Sequence, residues 1–304
     1  MDTDFLSVDD LSPAELAALL DRAAAVKADP RQTATALSGR AVALIFEKPS
    51  TRTRVSFEIA ISSCGGHPVP LSSAELQLGR GETIEDTGRV LSRYVDAIVL
   101  RTFEQERLEA LSRAASVPVI NALSDFEHPC QALADLLTVR EAKGSLAGRT
   151  FTYLGDGNNV THSLLLACAK AGMHVRAATP PGFEPIPQIV DRARDIAAQT
   201  GGSVAVLSDP EEASRGADVL YTDVWASMGQ EAEAEERALV FPAYVLDGAK
   251  VDLAAPDVTV LHCLPAHRGM EITDEVIDGP HSRVFDQAEN RMHTQKALLL
   301  TLLD

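Results

Sequence analysis

The chain has 304 residues, 45% hydrophobic but only 5% aromatic, and a formal net charge of −17. That length predicts two domains of roughly 100–200 residues each, with cores built chiefly from Ala, Val, Ile and Leu. The acidity argues against nucleic acid or an anionic membrane as partner, although a few arginines can still dominate the field inside a cleft.

The opening segment "MDTDFLSVDDLSPAEL" lacks the charged-then-apolar order of a secretory signal, and no apolar run approaches the ~18–20 residues of a membrane span. A cytoplasmic protein is expected. Ser12 as cap and Pro13 early in "SPAELAALLDRAAAV" predict a first helix. Short Val- and Ile-rich runs then alternate with longer amphipathic stretches, the pattern of βα units and parallel sheets. Strands are predicted at Ala41–Phe46, His67–Leu71, Ala97–Arg101 and Val117–Asn121, then at Thr150–Gly155, His174–Thr179, Ser203–Leu207, Asp218–Asp223 and Val258–Cys263. Between the two sets, "HPCQALADLLTVREAKGSLAGR" reads as a helix ending near Gly144 and holding the domain boundary. "AENRMHTQKALLLTLL" reads as a closing helix. The expected fold is α/β, with two doubly wound parallel-sheet domains joined by helices.

In such sheets ligands bind outside the carboxyl ends of the strands. After the first strand comes "FEKPSTRTR", where Ser50 and Thr51 can cap a helix, its free N–H groups meet an anion, and Arg52 adds a fork of donors. An ordinary capped helix with solvated arginines fits the same nine residues. Arg101 ends the third strand, and His128 and Gln131 follow the fourth, so these side chains can converge with Ser50, Thr51, Arg52 and Thr53 on a small anion bearing a carbonyl and an amide.

In the second half, "LGDGNNVTHS" lacks dinucleotide-binding spacing and carries Asp156 where a pyrophosphate needs neutrality. Asn158 and Asn159 instead offer amides suited to a zwitterion. "TDVWASMG" places Asp223 near Ser227, for an ammonium and a carboxylate, and "LHCLPAHRG" ends the last strand with Cys263 beside Leu264–Pro265. Four scattered cysteines make no disulfide framework. His262 and Cys263 lack the further ligands of a structural zinc site, so no metal is expected. Taken singly, His128 reads as a helix-start histidine, Cys263 as a small core residue and Trp225 as a packing anchor.

Together, "FEKPSTRTR", "HPCQALADLLT", "DVWASMG", "HCLPAHRG" and "AENRMHTQKALL" resemble the ornithine carbamoyltransferases of the aspartate/ornithine carbamoyltransferase family, in order and spacing, over essentially the whole chain. The resemblance implies a carbamoyl-phosphate-binding domain at 1–133, an ornithine-binding domain at 134–288 and a C-terminal helix at 289–304 packing back on the first. It implies that Ser50, Thr51, Arg52, Thr53 and Arg101 hold the phosphate, with Gln77 reaching a neighbouring subunit's site. Arg101, His128 and Thr53 polarise the carbamoyl oxygen, Gln131 and the backbone near Cys263 and Leu264 grip the amide, and Arg291 adds a contact. Asn159, Asp223, Ser227 and Met228 bind ornithine's α-groups, and Cys263 lies near the attacking δ-amine. Arg101, His128 and Cys263 are the implied catalytic residues. No cofactor is called for, and a homotrimer with shared active sites is implied. The alternative is a carbamoyltransferase for aspartate, lysine, putrescine or acetylornithine; the role of Arg80 in "LGRGET" stays open. Leu264–Pro265 is expected to be cis.

Overall fold

The computed structural model describes residues 4–72, 81–226 and 234–304, the side chains of 234–236 excepted. Ser12 caps α1 (Pro13–Ala28), accepting from the Glu15 N–H while Glu15 accepts from the Ser12 N–H. Pro13 stands in the first turn, where no partner exists for a backbone N–H. In β1 (Ala41–Phe46), Val42, Ala43, Leu44 and Ile45 are all fully buried, as a parallel strand covered on both faces requires. There follow α2 (Thr51–Ser62), β2 (His67–Ser72), α3 (Ile84–Leu91), β3 (Ala97–Arg101), α4 (Gln105–Ala114) and β4 (Val119–Leu123). The first sheet is parallel, in the order β2-β1-β3-β4. β4 starts two residues later than the sequence pattern predicts. Pro118 has no N–H for the ladder, although its carbonyl still accepts from Ile98 at 2.8 Å.

The helix α5 (Pro129–Lys143) ends at Gly144, whose φ of +79° is the left-handed conformation that stops a helix. Then come β5 (Thr150–Leu154), α6 (Asn159–Lys170), β6 (His174–Ala178), α7 (Pro187–Thr200), β7 (Ser203–Leu207), α8 (Pro210–Ser214) and β8 (Val219–Thr222). The chain finishes with α9 (Ala234–Val240), α10 (Gly248–Leu253), β9 (Thr259–His262), α11 (Asp274–Ile277) and α12 (Val284–Leu303). The second sheet is also parallel, ordered β7-β6-β5-β8-β9. Strands β5, β6, β8 and β9 each stop one residue short of the predicted end. Gly155, Thr179, Asp223 and Cys263 thereby stand just past the ladder, at the sheet's carboxyl edge.

Two compact units result, Met1–Leu137 with Glu289–Asp304, and Thr138–Ala288, so the division falls inside α5 and again inside α12. In the first unit, α12 is tied to α1: Lys27 Nζ donates to Asn290 Oδ1 at 2.8 Å, and Arg22 pairs with Asp304. Ile45, Ile98, Leu100, Leu108 and Leu111 lie in one of its core clusters. In the second, Leu154, Leu220, Val260, Ile272 and Val276 do the same.

At the start of the first sheet, Asp96 accepts from the Ala41 N–H at 2.9 Å and from Arg40 Nη1 at 2.7 Å. Burial acts to raise its pKa, but these two bonds prevail and hold it below the ordinary carboxylate value. A depressed carboxylate contributes stability above its unfolded pKa and loses it as pH falls through the folded one. The gap in melting temperature between wild type and Asp96→Asn should therefore narrow as pH is lowered from neutral to below ~3. A gap that stays constant over that range contradicts this assignment.

Candidate active site

Each sheet has one place where the winding reverses, between β1 and β3 in the first unit and between β5 and β8 in the second. Neighbouring connections leave in opposite directions there and open a crevice. The predicted site residues that the structure describes fall in one unit or the other.

In the first unit, Ser50 is the N-cap of α2, its Oγ accepting from the Thr53 N–H at 3.3 Å. Arg101 ends β3, in register with Phe46 of β1 and at an irregularity in the ladder to β4, the kind of feature that re-aims a side chain. Thr53 is buried, and its hydroxyl accepts from both Arg101 Nη1, at 3.5 Å, and Arg291 Nη2. Two guanidinium groups thus meet on one threonine at the positive end of α2. Arg52 and Thr51 are exposed beside them, while Arg54 pairs with Glu58 on its own helix. The convergence of distant arginines on Thr53 goes beyond what an ordinary capped helix needs.

His128, just ahead of α5, is buried, and its pKa lies well below the ordinary value. Burial is the first cause, followed by the positive charges of Arg291 and Arg101. It is a neutral imidazole at neutral pH, able to donate a hydrogen bond without adding charge. Gln131 is buried and donates through Nε2 to Asp135 Oδ1 at 2.8 Å, leaving its own carbonyl oxygen with no hydrogen-bond partner among the described residues. Cys130, one position earlier, is a core thiol pushed up to about 12 by burial, bonded to the Asn121 carbonyl. It is no nucleophile.

In the second unit, Asp223 is buried just past β8. Its Oδ1 accepts from the Val224 N–H at 2.7 Å and from the Cys263 thiol at 2.8 Å, and its Oδ2 accepts from Asn158 Nδ2 at 3.1 Å. Asn158 also caps α6, its Oδ1 accepting from Val160 and Thr161. Both ends of its amide are thereby committed, whereas the half-buried Asn159 opens the helix. Leu264–Pro265 is cis, as expected, and Leu264 is a non-glycine residue at φ +57°. Its N–H donates to His262 Nδ1 at 2.9 Å. His262 must then carry its proton on Nε2, which faces Glu271 Oε1 at 3.2 Å. Asp223, His262 and Cys263 bring potential metal-ligand atoms within 4.8 Å of one another. A cation there would have to break the Cys263–Asp223 bond or the bonds of the His262 ring.

Sequence reasoning missed Arg237. Its Nη1 donates to Asp156 Oδ2 and to the Trp225 carbonyl, both at 2.6 Å, and its guanidinium lies 4.9 Å from the Phe183 ring centre. One buried cation therefore neutralises Asp156 and ties α9 to Trp225, which stacks on Phe241. In "QEAEAEER" it reads as one more solvated charge. Gln77, Arg80, Ser227 and Met228 lie outside the described residues.

Residues 3–141 match the family model for the carbamoyl-P binding domain of aspartate/ornithine carbamoyltransferase, and residues 147–302 match its Asp/Orn binding domain. An ornithine carbamoyltransferase of Parafrankia sp. (strain EAN1pec) is 63% identical, covering 99% of this chain and 96% of the relative. One from Acidothermus cellulolyticus is 62% identical over 99% and 96%. The solved ornithine carbamoyltransferase from Pyrococcus furiosus superposes with a TM-score of 0.94 at 53% identity, covering 97% of this chain and 95% of that one.

The loop after β5 leaves no room at Gly157. A Cβ there would stand 2.3 Å from the Pro185 nitrogen and 2.6 Å from the Phe183 carbonyl oxygen, both backbone atoms. Gly157→Ala should lower stability by about 1–3 kcal/mol, as other overpacked sites do, measured by denaturant unfolding. An unchanged midpoint and slope would mean that the 183–185 turn yields freely.

Proposed function

This chain belongs to the aspartate/ornithine carbamoyltransferase family, and from that premise we propose that it transfers the carbamoyl group of carbamoyl phosphate to the δ-amine of L-ornithine, giving L-citrulline and phosphate. The full-length identity to ornithine carbamoyltransferases, 63% and 62% in two of them, carries this reading. The chemistry of the two crevices supports it. The δ-nitrogen forms a bond to the carbamoyl carbon, the bond from that carbon to the phosphate oxygen breaks, and the amine gives up a proton.

Negative charge grows on the carbonyl oxygen and on the departing phosphate, and fixed donors at those points lower the barrier more than they favour the ground state. Ser50, Thr51, Arg52 and Thr53, with the N–H groups that open α2, hold the phosphate. Arg101 and Arg291, already gathered on Thr53, supply its countercharge. Neutral His128, with Arg101 and Thr53, polarises the carbonyl. Gln131 and the Leu264 backbone hold the amide. Asp223 takes the α-ammonium, Asn159, Ser227 and Met228 complete the α-group contacts, and Cys263 stands by the δ-amine. The same reading implies a cytoplasmic protein, to which four free thiols are suited; no described helix is long and apolar enough to cross a membrane.

The deciding assay incubates the pure protein with carbamoyl phosphate and ornithine, lysine, putrescine, acetylornithine or aspartate, with products read by mass. Ornithine should be preferred over every competitor, and turnover of another amine in its place would overturn the reading. Arg52→Ala should lose roughly 10²–10³-fold in rate, as removal of a transition-state donor does.

The proposal includes a homotrimer with sites shared between subunits, Gln77 of one chain serving its neighbour. Val55 and Ile59, one turn apart on the outer face of α2, are 52% and 47% exposed, an apolar strip suited to a second copy. Gln77→Ala and Asp223→Asn proteins, each weak alone, should regain activity when dissociated, mixed equally and reassembled. Random mixing in a ring leaves about a quarter of shared sites intact. Subunit exchange without recovery would show each site to be built from one chain.

A further inference from the structure

Tyr153 is among the largest fully buried side chains, and the reaction as argued gives it no role. It pairs in register with Tyr221, so both rings project from one face of the second sheet, and Asp223 follows Tyr221 by two residues, just past the end of β8. The two rings stack at 5.9 Å. A Cβ on Gly155 would stand 3.5 Å from the Tyr153 hydroxyl and 3.8 Å from Thr222 Oγ1. The hydroxyl has therefore reached the level of residue 155, one step past the last ladder pair, Leu154 with Thr222, and near enough to Asp223 for that carboxylate to raise its pKa.

The two stacked tyrosines differ in one respect. Tyr221 Oη accepts from Gln287 Nε2 at 3.3 Å, whereas the hydroxyl of Tyr153 is buried with no hydrogen-bond partner among the described residues. Thr161 lies close enough to act against the rise in its pKa, its own proton going to the Asp156 carbonyl at 2.7 Å. Burial raises the phenol's pKa well above its ordinary value, and Asp223, Asp156 and Cys263 add to the rise. It stays protonated through the alkaline range in which an amine loses its proton, and so remains a donor. A buried donor without an acceptor carries a desolvation penalty that phenylalanine, of nearly the same shape, would avoid.

We propose that Tyr153 is a positioning residue for an amino-acid substrate with a free α-ammonium: when that ammonium displaces the Cys263 thiol from Asp223, the Tyr153 hydroxyl donates to the carboxylate and fixes its orientation. This rests on the ornithine reading above. An ionised carboxylate has about four acceptor positions. Asn158, Val224 and Cys263 account for three donors, so one further donor can be received.

Tyr153→Phe keeps the ring and its stacking and removes one oxygen. In the full-length protein, the ornithine KM should rise about ten- to a hundredfold, the worth of one hydrogen bond to a charged group. The kcat, the carbamoyl-phosphate KM and the melting temperature should hold or, for the last, increase. L-Norvaline keeps both α-groups and lacks the δ-amine, and its affinity, titrated in the presence of carbamoyl phosphate, should fall by the same factor. In an Asp223→Asn background the effect of Tyr153→Phe should vanish. Ornithine KM and norvaline affinity both within twofold of wild type would overturn the assignment. So would a loss confined to kcat, or a drop in melting temperature that weakens both substrates alike. A wild type that neither turns over ornithine nor binds norvaline would instead overturn the functional reading itself.

Discussion

The reversal of winding within each parallel sheet is the constraint on which the chemistry depends. A parallel strand can be followed only by a crossover, and where successive crossovers leave in opposite directions the two loops part and backbone N–H groups are left facing outward. Between β1 and β3 that opening receives the capped start of α2 and the end of the strand that carries Arg101. Between β5 and β8 it receives the Gly155–Asn158 turn and Asp223. The apolar strands supply rigidity, and their polar ends supply function.

The two openings solve opposite electrostatic problems within a chain of net charge −17. The first gathers Arg101 and Arg291 on the Thr53 hydroxyl and keeps His128 neutral beside them, so positive charge sits where an anion is expected. The second keeps one acidic group, Asp223, in reach of a cation while Arg237 pairs with the other, Asp156. Leaving Asp156 uncompensated would add a second buried charge at the same sheet edge, at a desolvation cost that proteins rarely bear unpaired.

Conformational demands are concentrated at the same edges. Leu264 holds a left-handed backbone that leucine disfavours by roughly 1–2 kcal/mol, and the bond from its N–H to His262 Nδ1 helps fix it there. That bond sets the His262 tautomer, which in turn directs the ring toward Glu271. Gly157 is set against the 183–185 backbone so closely that only a hydrogen fits, which keeps Asn158 at the cap. Sites that must present fixed donors without reorganising are built in this way, from groups whose alternatives are sterically closed.

Much of this was legible in the sequence because it rests on local chemistry. Alternating apolar runs dictate parallel strands, Ser12 and Pro13 dictate the start of α1, and "FEKPSTRTR" dictates a capped helix rich in anion donors. What only the tertiary structure decided are relations between residues far apart in the chain. The fate of Asn158, which its spacing left free to bind ligand, depends on Asp223 standing 3.1 Å away. Arg237 became the partner of Asp156 across 81 positions, and strand register paired Tyr153 with Tyr221 and carried the Tyr153 hydroxyl toward the end of the strand that Asp223 follows. A helix cap is determined over four residues by hydrogen-bond geometry, and a sequence therefore carries it whole. A buried charge or an unpartnered hydroxyl is defined by what the rest of the chain places around it, and that is fixed only when the sheets close.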